Sequence, residues 1–269
     1  MEADQGLRIG VIGGAGWLGS AIVDAALEAG VVKPEHLSLS FRSHRPDRLS
    51  SAYWTTDNQT VADRSNVVLL CVRPADWPTI KVDLKGKLLI SVMAGITSDA
   101  LSERHQTDRV VRALPNAAAA VCRSYTSWIA SSAVSNRDRS VVTALFEACG
   151  AQDEVFEENS IDYFTGLSGS GPAFPALLAS AMMQDAISQG IPANIAQRAV
   201  NTVLIGAGRL LEKRDVSPSE TTQTFLEYRG TTAAAITVMR DCGFDAAIAN
   251  GLTAASKAAA KLGDTLQNP

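Results

Sequence analysis

The sequence predicts an α/β protein in two parts, a doubly wound parallel sheet followed by an all-helical domain. Three observations predict it. Short β-rich apolar runs alternate with helical stretches from Leu7 to about Ala151, a glycine-rich turn follows the first of those runs, and after about Asn159 only alanine-rich helical periodicity remains.

The β-rich runs are Leu7–Ile12, Leu37–Phe41, Val67–Val72, Leu88–Val92, Val110–Leu114 and Ser127–Ala130. Each is apolar on both faces, as a parallel strand covered by helices on both sides must be. The helical runs of the second part are Pro172–Gly190, Asn194–Lys213, Thr231–Cys242 and Asp245–Leu262, broken at Gly190-Ile191-Pro192 and Cys242-Gly243. Nothing between them has the pattern of a strand. The expected domains are 1–159 and 160–269.

Composition narrows the function classes. With 46% hydrophobic residues, 19% charged residues and a net charge of −4, the chain is an ordinary globular one with no basic block to draw it to nucleic acid or an anionic membrane. Cys71, Cys122, Cys149 and Cys242 are scattered, with neither zinc spacing nor a disulfide framework, so no metal is expected and the thiols suit a reducing compartment. The first residues carry acids and no apolar core, and no apolar run approaches the ~18 residues of a membrane span. A cytoplasmic protein is the expectation.

The turn Gly13-Gly14-Ala15-Gly16-Trp17-Leu18-Gly19 joins the first strand to a helix, and Gly14, Gly16 and Gly19 fit the G-x-G-x-x-G pattern of a Rossmann domain. Small residues there allow a tight turn, backbone approach to a pyrophosphate and close helix–sheet packing, while the helix N-terminus attracts the phosphates. Gly14, Ala15, Gly16, Trp17 and Leu18 are therefore candidate cofactor residues; the alternative is a glycine turn that serves packing alone. The second strand ends Ser40-Phe41-Arg42-Ser43-His44-Arg45, with no acid to bind a ribose hydroxyl. Ser40, Arg42 and Ser43 can instead donate to a 2′-phosphate, with Arg45 adding charge, which favours NADPH over NADH. A solvated basic loop is the competing explanation.

Two segments of the second part carry further chemistry. Thr165-Gly166-Leu167-Ser168-Gly169-Ser170-Gly171-Pro172 places two hydroxyls among glycines just before a helix, either to receive a ligand or to cap the helix. Arg229-Gly230-Thr231-Thr232 opens another helix, where free N–H groups can hold a carboxylate and a threonine hydroxyl can reach a reacting nitrogen; a simple Thr N-cap would look the same.

Taken in order, these segments resemble the pyrroline-5-carboxylate reductase family over nearly the whole chain. Thr165–Phe174 is close to that family's most specific signature, and Val67–Pro74, Leu89–Thr97, Arg112–Asn116, Gly230–Ala235 and Gly243–Ala247 fit further family segments. The resemblance implies a Rossmann domain and a helical dimerisation domain whose helices intertwine in a homodimer, with an oligomer of dimers left open and the active site at the interface. It implies hydride transfer from NADPH to the C=N carbon of 1-pyrroline-5-carboxylate, giving L-proline. By the same resemblance, Asn58, Cys71, Val72, Arg73, Pro74, Ala94, Gly95 and Asn116 line the cofactor. Gly230, Thr231 and Thr232 bind the substrate carboxylate, Thr232 is hydrogen-bonded to the imine nitrogen, and Asp215 falls where the family can place an acid near it; Ser168, Gly169, Ser170 and Gly171, read from their own pattern, are further candidate substrate residues.

Departures from the family pattern fall at the substrate end and in the glycine loop. The family's Ser-Pro-Gly-Gly-Thr-Thr type of loop reads Glu227-Tyr228-Arg229-Gly230-Thr231-Thr232 here, and Pro115-Asn116 is followed by four alanines. The glycine loop is one residue longer, with Trp17 at a usually polar position. A reductase of a different cyclic imine and a non-enzymatic NADP-binding relative are the competing readings. A 3-hydroxyacid dehydrogenase is disfavoured because Pro172–Arg209 contains no lysine. His36, His44 and His105 all precede the second part and are expected to be structural or surface residues.

Overall fold

The computed structural model describes residues 6–213 and 216–267. Its sheet is built from β1 (Ile9–Ile12), β2 (Leu37–Ser40), β3 (Tyr53–Thr55), β4 (Val67–Leu70), β5 (Leu88–Ser91), β6 (Val110–Leu114), β7 (Ser124–Ala130) and β8 (Gly150–Glu154). Their order in space is β3-β2-β1-β4-β5-β6-β7-β8. The helices α1 (Trp17–Glu28), α2 (Asn58–Asp63), α3 (Ser98–His105), α4 (Asn136–Cys149) and α5 (Glu158–Phe164) belong to the same compact unit.

The apolar runs form a sheet because both of its faces are buried. Ile9, Val11, Leu37, Leu39, Leu69 and Ile90 pack on one face with Ile22 of α1 and Val142 and Phe146 of α4. Ile12, Val68, Leu70 and Leu89 point to the other, where they meet Val61 of α2 and Leu101 of α3. Each such side chain contributes roughly 1.5–3 kcal/mol on burial. The alternation along β1 and β4 thus supplies two cores from one sheet.

Three features depart from the expected pattern. β7 runs antiparallel to β6, with Ala113 opposite Trp128, whereas parallel strands were expected. The reason is length: Pro115–Arg123 holds only a short 3₁₀ turn at Ala117–Val121, too little chain for a parallel crossover of a dozen or more residues. β3 and β8 escaped the sequence reading because β3 has three residues and β8 reads Gly-Ala-Gln-Asp-Glu, a polar edge strand paired only with β7.

Arg112 sits in the middle of β6 at 1% exposure, a charge inside an otherwise apolar run. It is paired with Glu158 and, at 3.3 Å, with Asp162, both on α5. Glu158 also accepts from the Ser98 N–H at 3.0 Å. A buried cation stripped of these partners would cost several kcal/mol, so Arg112 pins α5 to the sheet. α5 and the turn after it pack on β6 and β7; the expected boundary at 159/160 falls inside α5, and the compact unit runs on to Ser170.

The second compact unit runs from Gly171 to Leu252, and residues 253–267 group with the sheet. It contains α6 (Ala173–Ser188) packed on α7 (Ala193–Lys213), α8 (Pro218–Glu227) packed on α9 (Thr231–Asp241), and the start of α10 (Phe244–Gln267). α8 was not among the expected helices, although its start was legible: Ser217 and Glu220 form a reciprocal capping box around Pro218.

His105 is fully buried, accepting at Nε2 from the Trp77 indole N–H (3.0 Å) and donating from Nδ1 to the Val82 carbonyl (3.0 Å). Indole nitrogen only donates, which fixes the neutral Nδ1–H tautomer. Burial holds the histidine below its ordinary value of 6.5, with a smaller push from Arg104 in the same direction and an opposing one from the Val82 bond. The unfolded chain therefore binds the proton more readily, so this stability is complete above about pH 6.5 and declines as pH falls toward the lower folded value. Urea midpoints at mildly acidic and neutral pH are expected to differ less for His105→Gln than for the unaltered protein, on a baseline lowered by about 1–3 kcal/mol. An identical pH dependence in both would remove His105 as its source.

Candidate functional site

The chain reverses its order across the sheet between β1 and β4, and at that switch the loops from their C-terminal ends separate. A cleft of about 920 Å³ lies there. It is walled by the loops after β1, β2, β4 and β5 and by the start of α2.

The glycine turn forms the floor. Gly13 adopts φ +87°, and a Cβ on it would lie 2.7 Å from the Cys71 carbonyl oxygen. Gly13 therefore makes the tight turn, a role the sequence pattern assigned to the glycines from Gly14 onward. Gly14 packs on Leu39 behind the cleft, and a Cβ on Gly19 would fall 2.5 Å from the Gly13 carbonyl oxygen, so α1 can approach the loop only through glycine. Ala15, Gly16, Trp17 and Leu18 line the cleft as expected. The first turn of α1 has no acidic residue and no side-chain cap, which leaves the positive end of the helix open to an anion. Trp17 stands on the rim at 62% exposure.

Ser40, Arg42 and Ser43 also reach the cleft. The Ser40 hydroxyl, however, accepts from the Gly13 N–H at 2.9 Å and its carbonyl accepts from Ala15 N–H at 3.2 Å, so Ser40 clamps the glycine turn to β2. His44, expected to be a surface or structural residue, is exposed and at the same time lines this wall. Arg42 is ion-paired at 2.9 Å with Asp76, a residue the sequence reading did not single out. Arg73 binds the same carboxylate at 2.9 Å, and these two arginines, Arg73 foremost, hold Asp76 below the usual carboxylate range.

Cys71, Val72, Arg73, Pro74, Asn58 and Ala94 line the cleft. Burial pushes the Cys71 thiol well up, and Cys149 behind it is pushed up to about 12, so neither is a thiolate nucleophile near neutral pH. Besides Gly14, two further expected cofactor residues, Gly95 and Asn116, lie outside the cleft lining. Gly95 (φ +79°) abuts the backbone of α10, where a Cβ would lie 2.9 Å from the Gly263 nitrogen. Asn116 is buried with its Oδ1 accepting from Ala118 N–H and its Nδ2 donating to the Ser168 carbonyl, both at 2.9 Å.

That last bond ties the loop after β6 to Thr165–Gly169, a π-helical turn closed by Ser170 N–H to the Thr165 carbonyl at 2.9 Å. Neither serine caps α6: Ser168 donates back to the Phe164 carbonyl (3.0 Å) and Ser170 to that of Thr165 (3.2 Å). Gly169 lies in the same turn, and Gly171 begins the helical unit. In that unit Gly230 is the N-cap of α9 and has no side-chain cap, which removes the alternative of a threonine N-cap. Thr231 and Thr232 are exposed in the first helical turn, so their N–H groups and hydroxyls are accessible. Asp215 lies outside the described residues.

A parallel sheet whose switch point opens above a glycine turn and a bare helix end defines a Rossmann-type nucleotide-binding protein, here followed by a helical unit. The residues fit a dinucleotide: the turn excludes side chains where a pyrophosphate would lie, and an arginine-rich wall replaces the acid that would bind a ribose diol. A family model described as pyrroline-5-carboxylate reductase dimerisation matches residues 158–262, and one described as NADP oxidoreductase, coenzyme F420-dependent, matches residues 8–95. A pyrroline-5-carboxylate reductase of Synechocystis is 30% identical over 96% of this chain and 98% of its own. One of Thermus thermophilus is 31% identical over 94% and 97%. The solved structure of a Coxiella burnetii pyrroline-5-carboxylate reductase superposes with a TM-score of 0.85 at 26% identity, covering 95% of this chain and 98% of that one. This chain belongs to the pyrroline-5-carboxylate reductase family.

Arg229, in the loop that the resemblance marks as divergent, takes φ +49°, a left-handed conformation. That conformation costs a side-chain-bearing residue about 1–2 kcal/mol, against ~0.5–1 kcal/mol for the extra unfolded-state freedom of glycine. Arg229→Gly is accordingly expected to raise the Tm slightly, by the equivalent of about 0.5–1 kcal/mol. A fall in Tm would show that the arginine side chain stabilises the loop by more than its backbone costs.

Proposed function

We propose that this protein reduces the C=N bond of 1-pyrroline-5-carboxylate to give proline, using NADPH. The observation that carries the reading is full-length relatedness to pyrroline-5-carboxylate reductases, 30% identity across 96% of the chain, with the nucleotide cleft and the Gly230–Thr232 helix start both intact. When bound, the dinucleotide supplies the hydride. The N–H groups opening α1 hold its pyrophosphate, and Arg42 and Ser43 face its 2′-phosphate. Asn58, Val72, Pro74 and Ala94 complete the wall, and Gly95 and Asn116 act through the backbone they position.

The substrate carboxylate is held by the free N–H groups of Thr231 and Thr232 at the α9 N-terminus, with Ser168–Gly171 as a further substrate segment. A C=N carbon accepts hydride readily only when its nitrogen is protonated. Threonine is too weak an acid to supply that proton, so Thr232 accepts a hydrogen bond from the iminium N–H and orients it, while the proton comes from solvent or with the substrate. What these residues contribute is positioning and electrostatics.

The helical unit leaves large apolar side chains in solvent, among them Leu177 (73%), Ile205 (67%) and Val238 (60%). A homodimer through this unit covers them, the assembly matching the dimerisation family model; an oligomer of dimers remains compatible with it. No helix of the described residues is long and apolar enough to cross a membrane.

Loss of reduced-nicotinamide absorbance is expected with 1-pyrroline-5-carboxylate, tested beside a panel of other cyclic imines. Turnover confined to another imine would make Glu227–Arg229 the determinant of a different specificity. Thr232→Ala is expected to lower kcat roughly 10- to 100-fold with NADPH affinity unchanged; parallel loss of both would mean the threonine shapes the fold. Arg42→Ala is expected to weaken NADPH by about 1.5–3 kcal/mol and NADH by much less. Equal weakening of the two would sink the 2′-phosphate assignment.

A further inference from the structure

The wall that faces the 2′-phosphate contains a fixed acid. Arg42 and Arg73 are long and mostly in solvent, at 73% and 76% exposure, but the carboxylate between them is only 23% exposed. A single oxygen, Oδ2 of Asp76, accepts from Arg42 Nη2 and from Arg73 Nε, each at 2.9 Å. The second oxygen takes a longer bond, 3.4 Å, from Arg73 Nη2. The backbone that carries the acid is itself held, by Asp76 N–H to the Arg73 carbonyl (2.9 Å) and by the Thr79 hydroxyl to the Asp76 carbonyl (2.7 Å). Trp77, the next residue, is buried and hydrogen-bonded to His105. The acid is therefore anchored to the core, and the cations come to it.

We infer that Asp76 is a specificity-determining residue: a built-in counter-anion that competes with the 2′-phosphate for Arg42 and Arg73 and so moderates this cleft's preference for NADPH over NADH. The inference rests on the NADPH reading above. A phosphate arriving at Arg42 finds one N–H donor already committed and a carboxylate within a few ångströms, and like charges so placed repel. The penalty falls on the phosphorylated dinucleotide alone, because NADH presents a neutral hydroxyl at that position. Asp76 also orders Arg42, which would favour the phosphate. That gain concerns the freedom of one exposed side chain, whereas the repulsion acts on the whole phosphate charge, and the competing effect dominates. The two effects have opposite signs, so one substitution separates them.

Dissociation constants for NADPH and NADH are measured by nicotinamide fluorescence on the full-length protein and on Asp76→Asn, which keeps the shape and backbone bonds of the segment. Asp76→Ser serves as a second variant, and thermal melting of each ligand-free protein checks that it is folded. The Kd for NADPH is expected to fall about two- to fivefold, the size of an exposed charge interaction, with that for NADH unchanged. The gain should shrink at high salt. A weaker NADPH complex would overturn the inference by showing that Asp76 chiefly positions the arginine. A parallel change in both cofactors would overturn it by showing a change in the shape of the segment. Failure of the unaltered protein to bind NADPH would remove the cofactor reading itself, and the inference with it.

Discussion

Space at the turn after β1 is the constraint on which the cleft depends. Gly13 turns with positive φ against the Cys71 carbonyl, and Gly19 brings α1 onto the Gly13 carbonyl; a methyl group at either place would collide with backbone, which cannot move aside. Backbone contact this close sets the separation of the β1 and β4 loops. It also aims the open end of α1 into the gap between them. Ser40 then locks the arrangement from β2 with two hydrogen bonds into the same loop. The floor of the cleft is thus made by main-chain groups, with Trp17 beside it on the rim.

A second dependency runs through the far side of the sheet. Arg112 must have its two carboxylates because it is buried, and both belong to α5. α5 leads directly into the π-helical turn at Thr165–Gly169, and Asn116, two residues beyond the end of β6, reaches back to the Ser168 carbonyl. The turn at Thr165–Gly169 is thus held through α5 by Arg112 of β6 and directly by Asn116 just beyond that strand. Its serines are occupied in shaping that turn, and their carbonyl and amide neighbours are what the segment presents.

The cofactor half of the site was far more legible in the sequence than the rest. G-x-G-x-x-G between a strand and a helix, and a β2 tip without an acid, are local patterns, and local chemistry explains them. Gly13 was within reach too, since the loop carries one glycine more than the pattern needs. Asp76 was not. Nothing in Arg73-Pro74-Ala75-Asp76 indicates that its carboxylate meets Arg42, a residue more than thirty positions earlier. Arg112 was equally opaque, a lone charge in an apolar run whose partners lie on another element.

By itself the sequence determined the alternation of strands and helices, the change to an all-helical second part, and the presence of a tight glycine turn between the first strand and its helix. Hydrophobic period and glycine placement are properties of neighbouring residues, so they can be read without coordinates. Tertiary structure alone decided that β7 runs antiparallel and that polar β8 joins the sheet, because pairing depends on chain length and on which edge is free. It alone decided that Ser40 clamps rather than simply lines, that Gly95 makes room for α10, and that an acid stands between the two arginines. Each of these is a contact across long stretches of chain, and such contacts exist only once the backbone has brought the partners together.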